Sequence, residues 1–487
     1  MANPFRRKRA SPDRYSGMVR GVRVRERKRL AFLRRKWVLI PLGIFLILAA
    51  GAGYGVYLYF STQNDVQEVI PGVGTELKQA GEPETVLIVG SDSRAGLTEK
   101  EQQELGADDE DASGAITGER ADTLILARID PETGHIMMVQ FPRDLWVPIP
   151  GSSGKNKINS ALEQGKPTLV ETVKSLTGLP VDRYVQINIA GFKDLVDAID
   201  GVDVCIPEPI EFDPATGIEV KEPGLVHFSG ERAVRFVRSR KNLAGGDLDR
   251  IQNQQKFMAA AIDKVTSVDT LLHLDRARSL LGVLRGNLRM DQGTGLLDLY
   301  RLGQRLRSFN PNDYEAYTAP NFGPGFVGDA SVVLPDMQAM RVMFDAIARD
   351  ESPADADEVP SIDPSSIRVG VYNGTYEEGI ALAAKEKLEN ATKTANGSVI
   401  VSDVANAERF DYKRTVIVYN RDEPEAERMA ELVSAAVPGA EVKKGKTASG
   451  IDVAVIVGRE DFRTKKIVQI LPIPIPKPGA LPAVCRP

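Results

Sequence analysis

From Trp37 to Phe60 the chain reads WVLIPLGIFLILAAGAGYGVYLYF, 24 residues without a charge. At about 1.5 Å per residue this is long enough to cross the apolar core of a bilayer. It exceeds the apolar region of a signal peptide, and no small-x-small cleavage site follows Phe60, so an uncleaved single-pass anchor is expected. Trp37 at one end and Tyr54, Tyr57 and Tyr59 at the other suit the two interfacial belts. Beyond this segment the pattern changes to short β-rich runs: TVLIVG (85–90), TLILARI (123–129) and HIMMVQF (135–141). DPETG between the second and third predicts an antiparallel hairpin. Helical spacing appears at Thr168–Leu176, Phe192–Ile199, Glu231–Phe236 and Asp249–Val265, and a longer helical region is expected from Leu271 to Phe309. A second α/β pattern closes the chain, with strands at 367–372, 398–402, 415–419 and 451–457 and helices near 378–390 and 423–437.

Composition shifts mark the boundaries. Residues 61–83 are polar and contain Pro71, Gly72 and Gly74, which reads as a stalk. Residues 351–366 (ESPADADEVPSIDPSS) are acidic and proline-rich and read as a linker, which suggests that the segment after it folds independently. The tail 463–487 ends in LPIPIPKPGALPAVCRP and is expected to be extended. The expected order is a basic tail (1–36), anchor (37–60), stalk (61–83), large domain (84–350), linker (351–366), small domain (367–462) and tail (463–487). The fold class is α/β in both domains.

Charge orients this arrangement. Residues 1–36 hold 14 Lys and Arg against Asp13 and Glu26, a balance of +12. Positive charge flanks the cytoplasmic end of a membrane helix, so the N-terminus is expected inside and the large domain outside the cell membrane. The whole chain is −5, which leaves about −17 for the rest (−5 minus 12), a poor general partner for nucleic acid. Only Cys205 and Cys485 are present, so no disulfide framework is expected. An oxidising exterior permits a bridge between them, but Cys205, within GVDVCIP, reads as a small core residue. His135, His227 and His273 are isolated, with neither metal spacing nor a matched nucleophile.

If the first β run pairs antiparallel with the second, three charged clusters meet at one sheet edge: Asp92 and Arg94, Arg120 and Asp122, and Arg143 and Asp144. Arg250 and Gln254 are four apart near the start of a helix for which Asp247 or Asp249 is a natural cap. Arg238 and Arg240, read as extended, would point the same way. Arginines beside a helix N-terminus hold phosphate and pyrophosphate, and two carboxylates can hold a divalent cation. Taken singly, each arginine is ordinarily solvated surface, and each carboxylate can be a turn cap or an ion-pair partner. The combination of acids and arginines predicts an extracytoplasmic site for a pyrophosphorylated ligand.

GSDSRAG (90–96), RAD (120–122), FPRD (141–144), KIN (157–159), VRSR (237–240) and DLDRIQNQQ (247–255) together resemble, in order, the motifs of the LytR-CpsA-Psr family. VGVYNGTYEEGIALAAKEKL (369–388) resembles the LytR C-terminal domain of actinobacterial members. The resemblance implies a central mixed β-sheet flanked by helices, with an apolar groove between them for a polyprenyl chain. It implies a transferase that moves a glycopolymer, arabinogalactan being favoured, from a polyprenyl-pyrophosphate carrier to peptidoglycan as a phosphodiester. Asp92 and Asp122 then resemble the ligands of Mg²⁺ (or Mn²⁺). Arg120, Arg143, Arg238 and Arg240 resemble catalytic pyrophosphate binders, with Arg94, Lys157, Asn159, Arg250 and Gln254 beside the substrate. A hydrolase using water at the same site is the alternative, and a membrane-bound transcriptional attenuator a third. Residues 96–118, acidic and lengthening the gap between the Asp92 and Arg120 motifs, depart from the pattern and read as a solvated loop, with a flap over the acceptor side as the alternative.

Overall fold

The computed structural model describes residues 67–74, 82–93, 97–98, 119–130, 132–152, 154–239, 247–266, 288–293, 314–327, 330–354, 362–394, 397–421, 423, 425–460, 462–465 and 483–485. The expected anchor and the 96–118 loop lie outside these residues, Leu97 and Thr98 apart. Among the described residues no helix is long and apolar enough to cross a membrane.

The centre of the large domain is a mixed seven-stranded sheet. Its strands are β1 (Gln67–Glu68), β2 (Glu84–Ser91), β3 (Ala121–Ile129), β4 (Ile136–Phe141), β7 (Arg183–Ile187), β10 (Leu288–Asp291) and β11 (Tyr314–Thr318), in the order β1-β10-β7-β2-β3-β4-β11. β2, β3 and β4 are antiparallel neighbours, as their runs predict. Their sequences are apolar on both faces because both faces are covered. Leu87, Val89, Leu124 and Leu126 meet α1 (Lys166–Thr177) and α5 (Met337–Ala348) through Leu169, Val173, Met343 and Phe344. Val86, Ile125 and Ala127 face the other way, toward Ala259 of α4 (Asp247–Thr266).

That second face carries a satellite core. α2 (Ile189–Ala198), the hairpin β8 (Val202–Ile206) and β9 (Gly224–Phe228), α3 (Gly230–Arg238) and α4 pack around Val196, Val204, Phe228, Phe236 and Phe257. A short pair, β5 (Trp146–Pro148) with β6 (Lys155–Lys157), comes after the FPRD turn.

Several expectations change here. Leu288–Asp291 is a strand within the region expected to be helical, and it lies between β1 and β7 in the sheet. Gln67–Glu68 pair with it and Ile70 enters the core, so part of the expected stalk belongs to the sheet. Cys205 is not a lone core residue but is bonded to Cys485, fastening the end of the tail to β8.

The small domain is a five-stranded sheet in the order β15-β14-β18-β16-β17. It comprises β14 (Arg368–Asn373), α6 (Ile380–Ala391), β15 (Ile400–Asn406), β16 (Val416–Asn420), α7 (Ala426–Ala436), β17 (Glu441–Gly445) and β18 (Val453–Val457). β17 escapes a pattern reading because EVKKG is polar and forms an exposed edge strand parallel to β16. Independent folding is not what the packing shows. Phe322, Val332 and Leu334 of the hairpin β12 (Asn321–Val327) and β13 (Ala330–Pro335) share one core with α7 and the small sheet. Asp336 and Arg428 form a buried two-point ion pair across the same junction, at 2.9 and 2.8 Å.

Candidate active site

The register between β2 and β3 creates the site. Gly90 pairs with Thr123 but Ser91 pairs with Ala121, so Asp122 is the extra residue of a β-bulge. A bulge breaks the two-residue alternation and re-aims a side chain. Asp122 and Thr123 therefore line the same cavity although they are consecutive, as do Gly90 and Ser91. On α4, Arg250, Gln254, Phe257 and Met258 follow helical spacing and present one face to that cavity. Arg238 enters from the last turn of α3. It is helical, not extended, so the two-pronged reading of Arg238 with Arg240 does not hold at its first member.

The cavity has a volume of about 220 Å³ and two chemically distinct parts. One part is charged. The Arg143 guanidinium donates to Asp122 Oδ1 at 2.8 Å. Burial opposes ionisation of Asp122, yet Arg143, Arg250 and Arg238 together hold its carboxyl below the ordinary range. The rest is apolar, floored by Ile88, Ile125 and Ile187 and walled by Phe192, Val237 and Phe257. Ser91 Oγ and Thr216 Oγ1 also belong to the lining, and both are buried without a hydrogen-bond partner among the described residues. A ligand with phosphate oxygens and an apolar chain matches both parts.

Asp92 sits at the strand end beside this head. The backbones of Asp92 and Arg120 are paired: the Asp92 amide donates to the Arg120 carbonyl at 3.1 Å, and the Arg120 amide donates to Asp92 Oδ1 at 2.8 Å. Burial pushes the Asp92 carboxyl up, and the Asp122 charge adds to the effect against the Arg120 amide bond. Among the described residues no three His, Cys, Asp or Glu side chains converge on a metal site. Two coupled carboxylates nevertheless suit Mg²⁺, which takes one or two of them and completes its shell with phosphate oxygens and water.

The remaining expected residues are placed differently. The Arg120 guanidinium pairs with Glu163 and does not line the cavity. Lys157 pairs with Asp144 at 3.1 Å. Asn159 is buried, and its amide donates to the Arg143 carbonyl at 3.1 Å, so it braces the arginine's loop. Gln254 bridges two elements, accepting from Gln140 and donating to the Val237 carbonyl at 3.1 Å. Arg94 and Arg240 lie outside the described residues. Sequence reading missed Asp213, which lines the cavity and accepts from Ser239 Oγ at 2.8 Å and from the Ala215 amide at 3.0 Å. It anchors the residue after Arg238. The Asp213-Pro214 turn was its only signal, and a turn has no necessary link to a site.

The LytR_cpsA_psr family profile matches residues 56–346. The chain belongs to the LytR-CpsA-Psr family. Residues 366–460 match a second profile, described as LytR cell envelope-related transcriptional attenuator. Family relatives include the probable cell wall biosynthesis protein LcpB of Corynebacterium glutamicum, 36% identical over 222 residues, covering 45% of this chain and 51% of that one. The cell wall biosynthesis protein LcpA of the same organism is 27% identical over 388 residues, 72% of each chain. The polyisoprenyl-teichoic acid–peptidoglycan teichoic acid transferase TagV of Bacillus subtilis is 31% identical over 222 residues, 44% of this chain and 56% of that one. The match thus spans about half the length of LcpB and of TagV.

Proposed function

We propose that this protein is a membrane-anchored extracytoplasmic phosphotransferase that moves a glycopolymer from a polyprenyl-pyrophosphate carrier to peptidoglycan. The observation that carries the reading is the single cavity in which Asp122, Arg143, Arg238 and Arg250 adjoin an apolar groove. That combination suits a lipid-linked pyrophosphate, with arginines for the phosphates and an apolar groove for the chain. The TagV name supports a glycopolymer transfer to peptidoglycan. LcpA and LcpB, both named for cell wall biosynthesis, support a wall polymer as cargo, arabinogalactan in this proposal. The disulfide and the uncharged segment 37–60 support an anchored, external location.

The residues divide the work. Arg143, Arg238 and Arg250, with Arg240 next in sequence but one, neutralise the pyrophosphate, and the groove holds the first isoprene units. Asp92 and Asp122 would hold Mg²⁺ or Mn²⁺, which supplies charge neutralisation on the pyrophosphate oxygens. A peptidoglycan hydroxyl, the muramic acid 6-hydroxyl in this proposal, attacks the sugar-linked phosphorus. A new P–O bond to the acceptor forms, the P–O bond to the carrier breaks, and polyprenyl phosphate leaves on the arginine side. Asp92 is the candidate acceptor of the hydroxyl proton, since burial raises its basicity. With labelled lipid-linked glycan, peptidoglycan and Mg²⁺, the parent chain should carry label into peptidoglycan and Asp92→Ala should not. Equal incorporation by the two would remove Asp92 from the mechanism.

A further inference from the structure

The small domain holds an aromatic face that this chemistry does not use. Tyr376 is 79% exposed, yet it is held firmly. Its ring stacks on Phe410, with centroids 5.3 Å apart and planes 26° from parallel, and Arg459 lies 6.0 Å from its centroid. Arg409 lies over neighbouring Tyr412 at 5.5 Å. The backbone on either side of Tyr376 is pinned. Asn373 Oδ1 accepts from the Thr375 amide and hydroxyl, both at 2.9 Å, and Asn373 Nδ2 donates to the Glu377 carbonyl at 2.8 Å. The Glu377 amide in turn donates to Thr375 Oγ1 at 3.1 Å. Gly374 is needed for the close approach of Tyr412, because a Cβ there would stand 2.8 Å from that ring and 2.7 Å from the Val457 carbonyl oxygen. The loop leaves the carboxyl end of β14, a strand paired on both sides, and open α/β sheets bind ligands at such ends.

The surroundings select the ligand. Arg409 pairs with Asp411 at 2.9 Å and Arg414 with Glu460 at 3.4 Å, so both signs of charge rim the rings. A polyanion would meet Asp411 and Glu460, and an acyl chain would have to desolvate the ion pairs. A pyranose suits both parts, with a C–H face for the aromatic platform and a rim of hydroxyl and acetamide groups for the charged partners. We propose that the Tyr376–Phe410 face is a carbohydrate-binding surface that docks the glycan strand of peptidoglycan. The choice of polymer rests on the transferase reading: the cavity accounts for the donor, and the insoluble acceptor must be brought to it.

The test is co-sedimentation of the full chain in detergent with peptidoglycan stripped of glycopolymer, with free glycopolymer as a competitor. Tyr376→Ala should bind stripped peptidoglycan about tenfold more weakly, the loss expected for one stacking contact. Tyr376→Trp should retain binding. Transfer to a short soluble acceptor should be unchanged in both variants. Parent-like sedimentation of Tyr376→Ala, or displacement of the parent by free glycopolymer, would overturn the proposal. If Tyr376→Ala loses binding while the parent transfers no glycan, the docking surface stands and the transferase reading falls.

Discussion

At the residue scale, Asp92 and Asp122 are a pair of carboxylates driven apart by their surroundings. Asp122 is held ionised by arginines, whereas Asp92 is half-buried beside another negative charge and its carboxyl is raised. A raised acid stabilises the fold below its ordinary value near 3.8, and that contribution is lost as pH rises through the higher folded value. At neutral pH Asp92 therefore costs stability without a cation. Asp92→Asn should raise the urea midpoint of the metal-free protein at pH 7, and the gain should vanish near pH 3. A lower midpoint at pH 7 would mean that Asp92 is structural. Arg238 is the cleaner arginine to remove, because Arg143 also donates a hydrogen bond to Asp122 at 2.8 Å. Arg238→Ala should lose about 30- to 1000-fold in transfer rate, corresponding to about 2–4 kcal/mol of uncompensated phosphate charge, with an unchanged melting temperature. The members of this site were legible as residue types in motifs. The bulge that turns Asp122 and Thr123 to one side was not, because it arises from strand register rather than composition.

At the element scale, runs such as TVLIVG and TLILARI declared themselves because both sheet faces are covered and few positions are polar. Leu288–Asp291 and EVKKG did not, since four or five residues leave little periodicity to read, and EVKKG is a polar edge strand besides. α7 was legible as a helix, but its two-sided role was not. It carries Arg428 toward Asp336, which also caps α5 by accepting from the Ala339 amide at 3.0 Å. One turn on, Glu431 is pushed up to about 8, mainly by burial, with Glu427 and Asp336 reinforcing the effect against Lys155. Its contribution to stability is therefore complete below about 4.5 and is lost as pH rises toward about 8. Glu431→Gln should flatten the fall in melting temperature between about pH 5 and 8 and make the variant the more stable form above that window. A parallel pH profile in the two proteins would refute a neutral Glu431 at pH 7.

On the scale of the whole molecule, the acidic linker misleads about autonomy. Charge and proline at 351–366 mark a boundary along the chain, but the small domain borrows Phe322, Val332 and Leu334 from the other side of it. A chain ending at Ser361 should lose that cover and leave the Asp336 carboxylate without its Arg428 partner. It should melt lower and aggregate sooner than the full chain. Equal melting temperatures would restore the reading of two independent units. The Cys205–Cys485 bond ties the chain end back onto β8 of the satellite core over a separation of 280 residues. As the only two cysteines of an external domain they were the one pair the sequence allowed, but the core-like GVDVCIP context of Cys205 favoured a lone residue.

The central claim is that one cavity presents a lipid-linked pyrophosphate to an acceptor other than water. The most direct measurement follows the fate of a glycan labelled on its sugar and at its sugar-linked phosphorus, with Mg²⁺ and the full chain, with and without peptidoglycan. The account predicts that both labels enter peptidoglycan together through an acid-labile phosphodiester, with polyprenyl phosphate released in equal amount. Label appearing solely as soluble glycan phosphate, at a rate indifferent to peptidoglycan, would contradict it and make the protein a pyrophosphatase.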